Sequence, residues 1–214
     1  MGKKADLTEL VCIMDRSGSM GAIRSDAIGG FNTFLEEQKK VEGKANLTLV
    51  MFDTKHDVIH DGVDVQEVKS LDETTYIPGG ATALLDAIGK TIGDVARRHA
   101  ELKKSKRPKN VLVAILTDGQ ENSSKEFCNP ERIKILMDEK RKDKWQFVFL
   151  SSDMSAIETA RSIGIRDTDS ALIGSSGGSY RSAYSAVNAM ATSMRCSTSD
   201  EPVTLDKSKL TEDA

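Results

Sequence analysis

Oxygen-bearing side chains gather at three separated points of the chain. The first is Asp15-Arg-Ser17-Gly-Ser19, the second is Thr82 in the turn Gly79-Gly80-Ala81-Thr82, and the third is Asp118 in Thr117-Asp118-Gly119. Together Asp15, Ser17, Ser19, Thr82 and Asp118 offer two carboxylates and three hydroxyls, all hard donors. With neither imidazole nor thiolate in the set, Mg²⁺ or Mn²⁺ suits it far better than Zn²⁺ or copper. Each piece by itself also reads as ordinary structure, because Asp, Ser and Thr after a strand accept backbone N–H bonds in turns and at helix N-caps. The metal reading rests on the three pieces meeting.

What must bring them together is the fold. Leu10 to Met14 and Val111 to Leu116 are apolar without alternation, as strands covered on both faces are, and each runs straight into an acidic residue. Leu47 to Phe52 and Phe147 to Leu150 read as further strands, and Ala171 to Ile173 as a short last one. Between them lie helical periodicities over Ala22 to Val41, over the stripe Leu85, Ile88, Ile92, Val95 and Leu102, over Pro130 to Lys142, around Ile157 to Ile163, and around Tyr180 to Met194. The alternating stretch Asp57 to Val68 reads as an edge strand with a turn near Asp61-Gly62. This order predicts an α/β fold: Rossmann-like, doubly wound, with a mostly parallel central sheet, one antiparallel edge strand and helices on both faces. Ligands of such sheets gather outside the carboxyl ends of the strands, where Asp15 and Asp118 fall.

The trio DRSGSM, TALLDAIG and LTDG resembles the metal-ion-dependent adhesion site of von Willebrand factor A domains, over about residues 7 to 195. The resemblance implies that the Ser17 and Ser19 hydroxyls bind the metal directly, that Thr82 binds it directly or through water, and that Asp15 and Asp118 act mainly through ordered waters. It implies a binding module without catalysis, whose metal, Mg²⁺ or Mn²⁺, completes its coordination with an Asp or Glu carboxylate of a protein partner. Intracellular members of the family act beside ATPases or within larger assemblies, and the resemblance extends that expectation here. Family members often place two glycines directly before the threonine, where this chain has Gly80 and Ala81. The family also suggests that movement of the last helix couples to the metal site.

The whole chain bounds the rest. Its 214 residues suffice for one large domain, and the composition, 38% hydrophobic and 29% charged, is that of a soluble protein. A net charge of -3 gives no general case for binding nucleic acid or an anionic membrane. No apolar run approaches a membrane span. Three scattered cysteines, Cys12, Cys128 and Cys196, favour a reducing compartment, and the cytoplasm is the expected location. The expected organisation is an N-terminal extension over 1–6, the domain over 7–195, and a flexible polar and acidic tail over 196–214. Glu201, Asp206, Glu212 and Asp213 of that tail are candidate carboxylates for the metal of this chain or of another copy, which would make the tail a route to self-association.

Other motifs read as structure. Gly89-Lys90-Thr91 lacks the earlier glycine of a P-loop, since Leu84 stands there. His56 and His60 would lie about 13 Å apart on a strand, too far for one zinc, and His99 reads as a polar member of its helix. Asp86 favours its helix N-terminus electrostatically. The basic run Arg97 to Lys109 reads as a solvated helix end, and the Gly/Ser loop GSSGGS as a flexible connection. The rival function is a Mg²⁺-dependent phosphatase using Asp15 as nucleophile. Ser17, however, stands where the general acid of such an enzyme would be an aspartate, and no histidine completes a serine-hydrolase pattern.

Overall fold

The computed structural model describes residues 6–197, 199 and 201–210. A six-stranded sheet forms its centre, in the order β3-β2-β1-β4-β5-β6. The strands are β1 Thr8–Asp15, β2 Ala45–Phe52, β3 His56–Asp64, β4 Asn110–Thr117, β5 Trp145–Ser151 and β6 Ser170–Leu172. The five helices are α1 Arg24–Lys40, α2 Leu84–Glu101, α3 Pro130–Lys142, α4 Met154–Ser162 and α5 Gly177–Cys196. All neighbouring strands run parallel except β3, which pairs antiparallel with β2 at the edge.

The unbroken apolar runs are explained by burial on both faces. Leu10, Cys12 and Met14 of β1 pack with α1 and α5, whereas Val11 and Ile13 pack with α2, α3 and α4. The order reverses direction at β1 and β4, which pair in register from Thr8↔Asn110 to Met14↔Leu116. Their carboxyl ends therefore lie side by side, Asp15 beside Thr117, at the crevice where an open α/β sheet takes its ligand.

At the opposite end of β1, Glu9 is wholly buried. It accepts hydrogen bonds from Thr48 Oγ1 at 2.7 Å and Arg98 Nη2 at 2.5 Å, and its Oε2 lies 2.6 Å from His99 Nε2. Arg98 reaches on to Asp61 at 2.8 Å. Burial opposes the Glu9 charge, but these partners outweigh it and hold the carboxyl down at about 2. His99 and Arg98 are thus parts of a buried network, not members of a solvated helix end. The sequence pattern could not reveal this because their partner sits 89 and 90 residues earlier.

Gly62 does not turn the chain. β3 runs through it, with a register irregularity opposite Leu47 to Leu49, and Gly62 takes φ of 63°. A side chain there would collide with the Arg98 guanidinium, so glycine serves both the backbone and the passage of Arg98 to Glu9.

The segment after α5 packs back on the body where the sequence reading expects a flexible tail. Leu205 is buried, Val203 and Leu210 lie against the same core, and Val203 N–H donates to Gln146 Oε1 at 3.0 Å. Lys207 Nζ donates to the Asp167 carbonyl at 2.6 Å. Three apolar residues among many polar ones suffice because they join a core that α1, α5 and the sheet already form. Glu201 consequently lines a cleft with Asn110 and Trp145 at the amino ends of β4 and β5. Glu201 thus stands at the opposite end of the sheet from Asp15, and Asp206 accepts from Ser208 N–H. Glu212 and Asp213 lie outside the described residues, as do residues 1–5 of the expected extension. Among the described residues, no helix is long and apolar enough to cross a membrane.

The Gly/Ser loop is likewise ordered. Ser176 caps α5 by accepting the Ser179 N–H at 3.2 Å, and the helix begins inside the loop at Gly177.

Candidate metal centre

β1 delivers Asp15 to the crevice wholly buried, with both carboxylate oxygens engaged. Oδ1 accepts the Ser17 N–H at 2.6 Å, an Asx turn closed by the aspartate's own loop. Oδ2 accepts the Thr117 hydroxyl from the adjoining end of β4. Beneath it, the Tyr76 hydroxyl donates to the Asp15 carbonyl. Ser17 and Ser19 follow on a 3-10 turn, Gly18–Ile23, which aims both hydroxyls the same way; their oxygens are 3.2 Å apart. Ser19 Oγ donates to Asp118 Oδ1 at 2.7 Å.

Thr82 arrives from a different loop, fastened on two sides. On one side Gly18 N–H donates to the Gly80 carbonyl at 3.2 Å and Gly79 N–H to the Arg16 carbonyl at 2.9 Å. On the other, Thr82 N–H donates to Asn122 Oδ1 at 2.9 Å and Asn122 N–H to the Thr82 carbonyl at 3.0 Å. Gly80 takes φ of 71° whereas Ala81 has no positive φ, so the left-handed step falls on the glycine and the alanine departure from the family pattern is accommodated.

All five sequence-predicted residues meet at one place. A Cβ built on Gly119 would lie 3.0 Å from Thr82 Oγ1, 3.7 Å from Ser19 Oγ and 3.8 Å from Asp15 Oδ2. Ser17 and Asp118 join through Ser19. Oxygens from three loops thus lie around the point where a Gly119 side chain would stand. Ser17 and Thr82 are buried, Asp118 is half-buried and Ser19 is exposed, so the cluster is open on one side.

Its electrostatics call for a cation. Neither Asp15 nor Asp118 has an ion-pair partner among the described residues, because the neighbouring Arg16 turns to Asp53 and Asp57 instead. Burial pushes the Asp15 carboxyl up to about 6 against the hydrogen bonds of Thr117 and Ser17. Burial also raises Asp118, with the charge of Asp153 adding to it and the Ser19 hydrogen bond opposing it. Two uncompensated carboxylates and three hydroxyls, all oxygen and none soft, fit a small divalent cation. Among the described residues no group of three or more His, Cys, Asp or Glu side chains is placed to hold a metal ion, so this site depends on its hydroxyls.

Sequence reasoning missed the supports around these five. Asp86 does more than favour a helix end: it accepts the Lys125, Glu126 and Phe127 N–H groups at 3.0, 2.9 and 2.8 Å. Burial works against its charge, yet those donors hold its carboxyl below the ordinary value. Glu121 accepts the Leu85 N–H at 2.7 Å and the Ser123 and Ser124 N–H groups at 2.9 and 2.8 Å. The loop after β4 is therefore laced to the start of α2, which begins at Leu84, two residues after Thr82. Glu121 and Asn122 carried a weak signal, being polar residues just past a buried strand; Tyr76 carried none.

No protein-family model and no curated protein matches the chain. Among solved structures it is similar to proximal thread matrix protein 1 (PTMP1) from the mussel byssus, with a TM-score of 0.61 and 15% identity over 88% of this chain. A structure of the same mussel protein with a zinc-occupied MIDAS motif gives 0.60 and 16% over 90%. In both, 47% of the mussel chain is covered. The von Willebrand factor type A structure from Catenulispora acidiphila gives 0.53 and 12% over 88% of this chain and 43% of that one. The chain thus spans about half the length of the structures it matches. At these identities the likeness carries the fold.

Proposed function

We propose that this chain, which has the von Willebrand factor type A fold, is a metal-dependent protein-binding module that recognises an acidic side chain of a partner protein. Asp15, Ser17, Ser19, Thr82 and Asp118 hold one divalent cation, Mg²⁺ or Mn²⁺. The observation that carries this reading is their convergence around Gly119, with no cationic side chain among the described residues paired to Asp15 or Asp118. When bound, the cation supplies a Lewis-acid position for a carboxylate of the partner.

The chain's own residues prepare that position. Thr117 and the Ser17 N–H fix both oxygens of Asp15, so its charge acts from a set place. Ser17, Ser19 and Thr82 contribute neutral oxygens, which add no negative charge of their own and so keep the cation attractive to an incoming anion. Ser19 is exposed and marks the open side, from which the partner approaches. The zinc in the mussel protein belongs to that protein; the all-oxygen set here favours a harder ion.

The engagement of both Asp15 oxygens and its complete burial support binding over attack on a phosphate. The test is capture of a partner from host extract on immobilised wild type and Asp15→Ala, with Mg²⁺ and with chelator. Capture by wild type in Mg²⁺ alone is expected, and retention under all four conditions contradicts metal bridging.

A further inference from the structure

Two hydroxyls on α5, Tyr180 Oη and Tyr184 Oη, are buried with no hydrogen-bond partner among the described residues. They stand one helical turn apart, so they differ mainly in what surrounds them. Tyr184 lies deep between α1 and α5, its ring edge-on to Phe31 with centroids 6.4 Å apart. It fills the notch left by Gly30, where a Cβ would come within 2.5 Å of the ring. Besides burial, the Cys12 thiol and the Tyr76 and Tyr180 hydroxyls act on or with its hydroxyl, and no carboxylate among the described residues does. Held by aromatic rings and facing no carboxylate, the tyrosine reads as packing.

Tyr180 sits one turn closer to the carboxyl ends of β1 and β4, and is 1% exposed. After burial, the groups that act on its hydroxyl are the carboxylates Asp118 and Asp15, ahead of the hydroxyls of Tyr76 and Tyr184. The Tyr76 hydroxyl is already committed to the Asp15 carbonyl, whereas the Tyr180 hydroxyl has no partner among the described residues. Buried hydroxyls are ordinarily satisfied, and a donor facing two anions beyond direct reach is satisfied through an intervening water with two or more polar partners.

We infer that Tyr180 is a positioning residue of the metal centre: its buried hydroxyl donates through one water to the Asp118 and Asp15 carboxylates and fixes the arrangement in which they hold the cation. This rests on the metal-centre reading above. It makes the first turn of α5 part of the site, although no α5 residue is among the five candidate ligands.

The test is calorimetric titration of Mg²⁺ into the full chain as wild type, Tyr180→Phe and Tyr184→Phe, with melting temperatures of the metal-free proteins measured alongside. Each variant loses one oxygen and keeps its ring. Tyr180→Phe is expected to raise the Mg²⁺ Kd about five- to tenfold, Tyr184→Phe to leave it within about twofold, and neither to lower the metal-free melting temperature. Unchanged affinity in Tyr180→Phe, with wild type binding Mg²⁺, overturns the inference and leaves the metal-centre reading standing. Equal losses in both variants assign the effect to core packing and overturn it as well. Wild type that does not bind Mg²⁺ overturns the metal-centre reading, and this inference with it.

Discussion

Asn122 grips Thr82 at both of its peptide groups, accepting its N–H at 2.9 Å and donating to its carbonyl at 3.0 Å. The loop that supplies Asp118 therefore also sets the height of Thr82, and two of the five candidate ligands share one support. Asn122→Ala removes the side-chain half of this clasp. Mg²⁺ affinity should fall several-fold, with a loss of unfolding free energy of about 1 kcal/mol. Calorimetry and urea unfolding read the two effects separately, and a full loss of stability with unchanged affinity would detach Asn122 from the site.

Gly119→Ala places a methyl group inside the oxygen cradle, 3.0 Å from Thr82 Oγ1. Gly119 has no positive φ, so the backbone tolerates alanine and the effect is confined to the cradle. Mg²⁺ binding should weaken more than about tenfold while unfolding changes by less than about 1 kcal/mol. Wild-type affinity in this variant would show that the cation is held elsewhere.

Glu9 makes stability depend on acid. Its carboxyl stands at about 2 in the folded chain against an ordinary 4.5, so between those values the unfolded chain binds more protons. Its contribution is complete above about pH 4.5 and is lost as pH falls through about 2. The full contribution is on the order of 3 kcal/mol. Glu9→Gln should be destabilised by a comparable amount at pH 7, and its guanidinium midpoint should approach that of wild type near pH 2. A gap that persists undiminished into acid would mean that the charge is not what Arg98 and His99 hold.

Leu205→Ala tests how the segment after α5 is attached. A buried leucine cut to alanine costs about 2 kcal/mol or more, so the melting temperature should drop by several degrees. An unchanged melting temperature would mean that the segment around Leu205 does not contribute to the fold.

The strand and helix order was legible because β1 and β4 are buried on both faces and α2 carries its apolar stripe at helical spacing. Asp15 and Asp118 were legible because an acidic residue directly after such a strand is conspicuous. The supports were not. Tyr76 reaches Asp15 from 61 residues away, and Glu9 finds Arg98 and His99 across most of the first half of the chain. No local periodicity records such pairs. Gly62 read as a turn because Asp-Gly normally favours one; its actual service, room for a guanidinium arriving from α2, belongs to a tertiary contact. Val203, Leu205 and Leu210 are too sparse to register as a packed segment, yet each meets a surface already built.

The central claim is that Ser17 and Ser19, with their partners around Gly119, hold a divalent cation. Calorimetric titration of Mg²⁺ into metal-free wild type and into Ser17→Ala/Ser19→Ala tests it most directly. A single saturable site in wild type that disappears from the double variant is the predicted result. Binding of equal strength in both, or none in wild type, would contradict it.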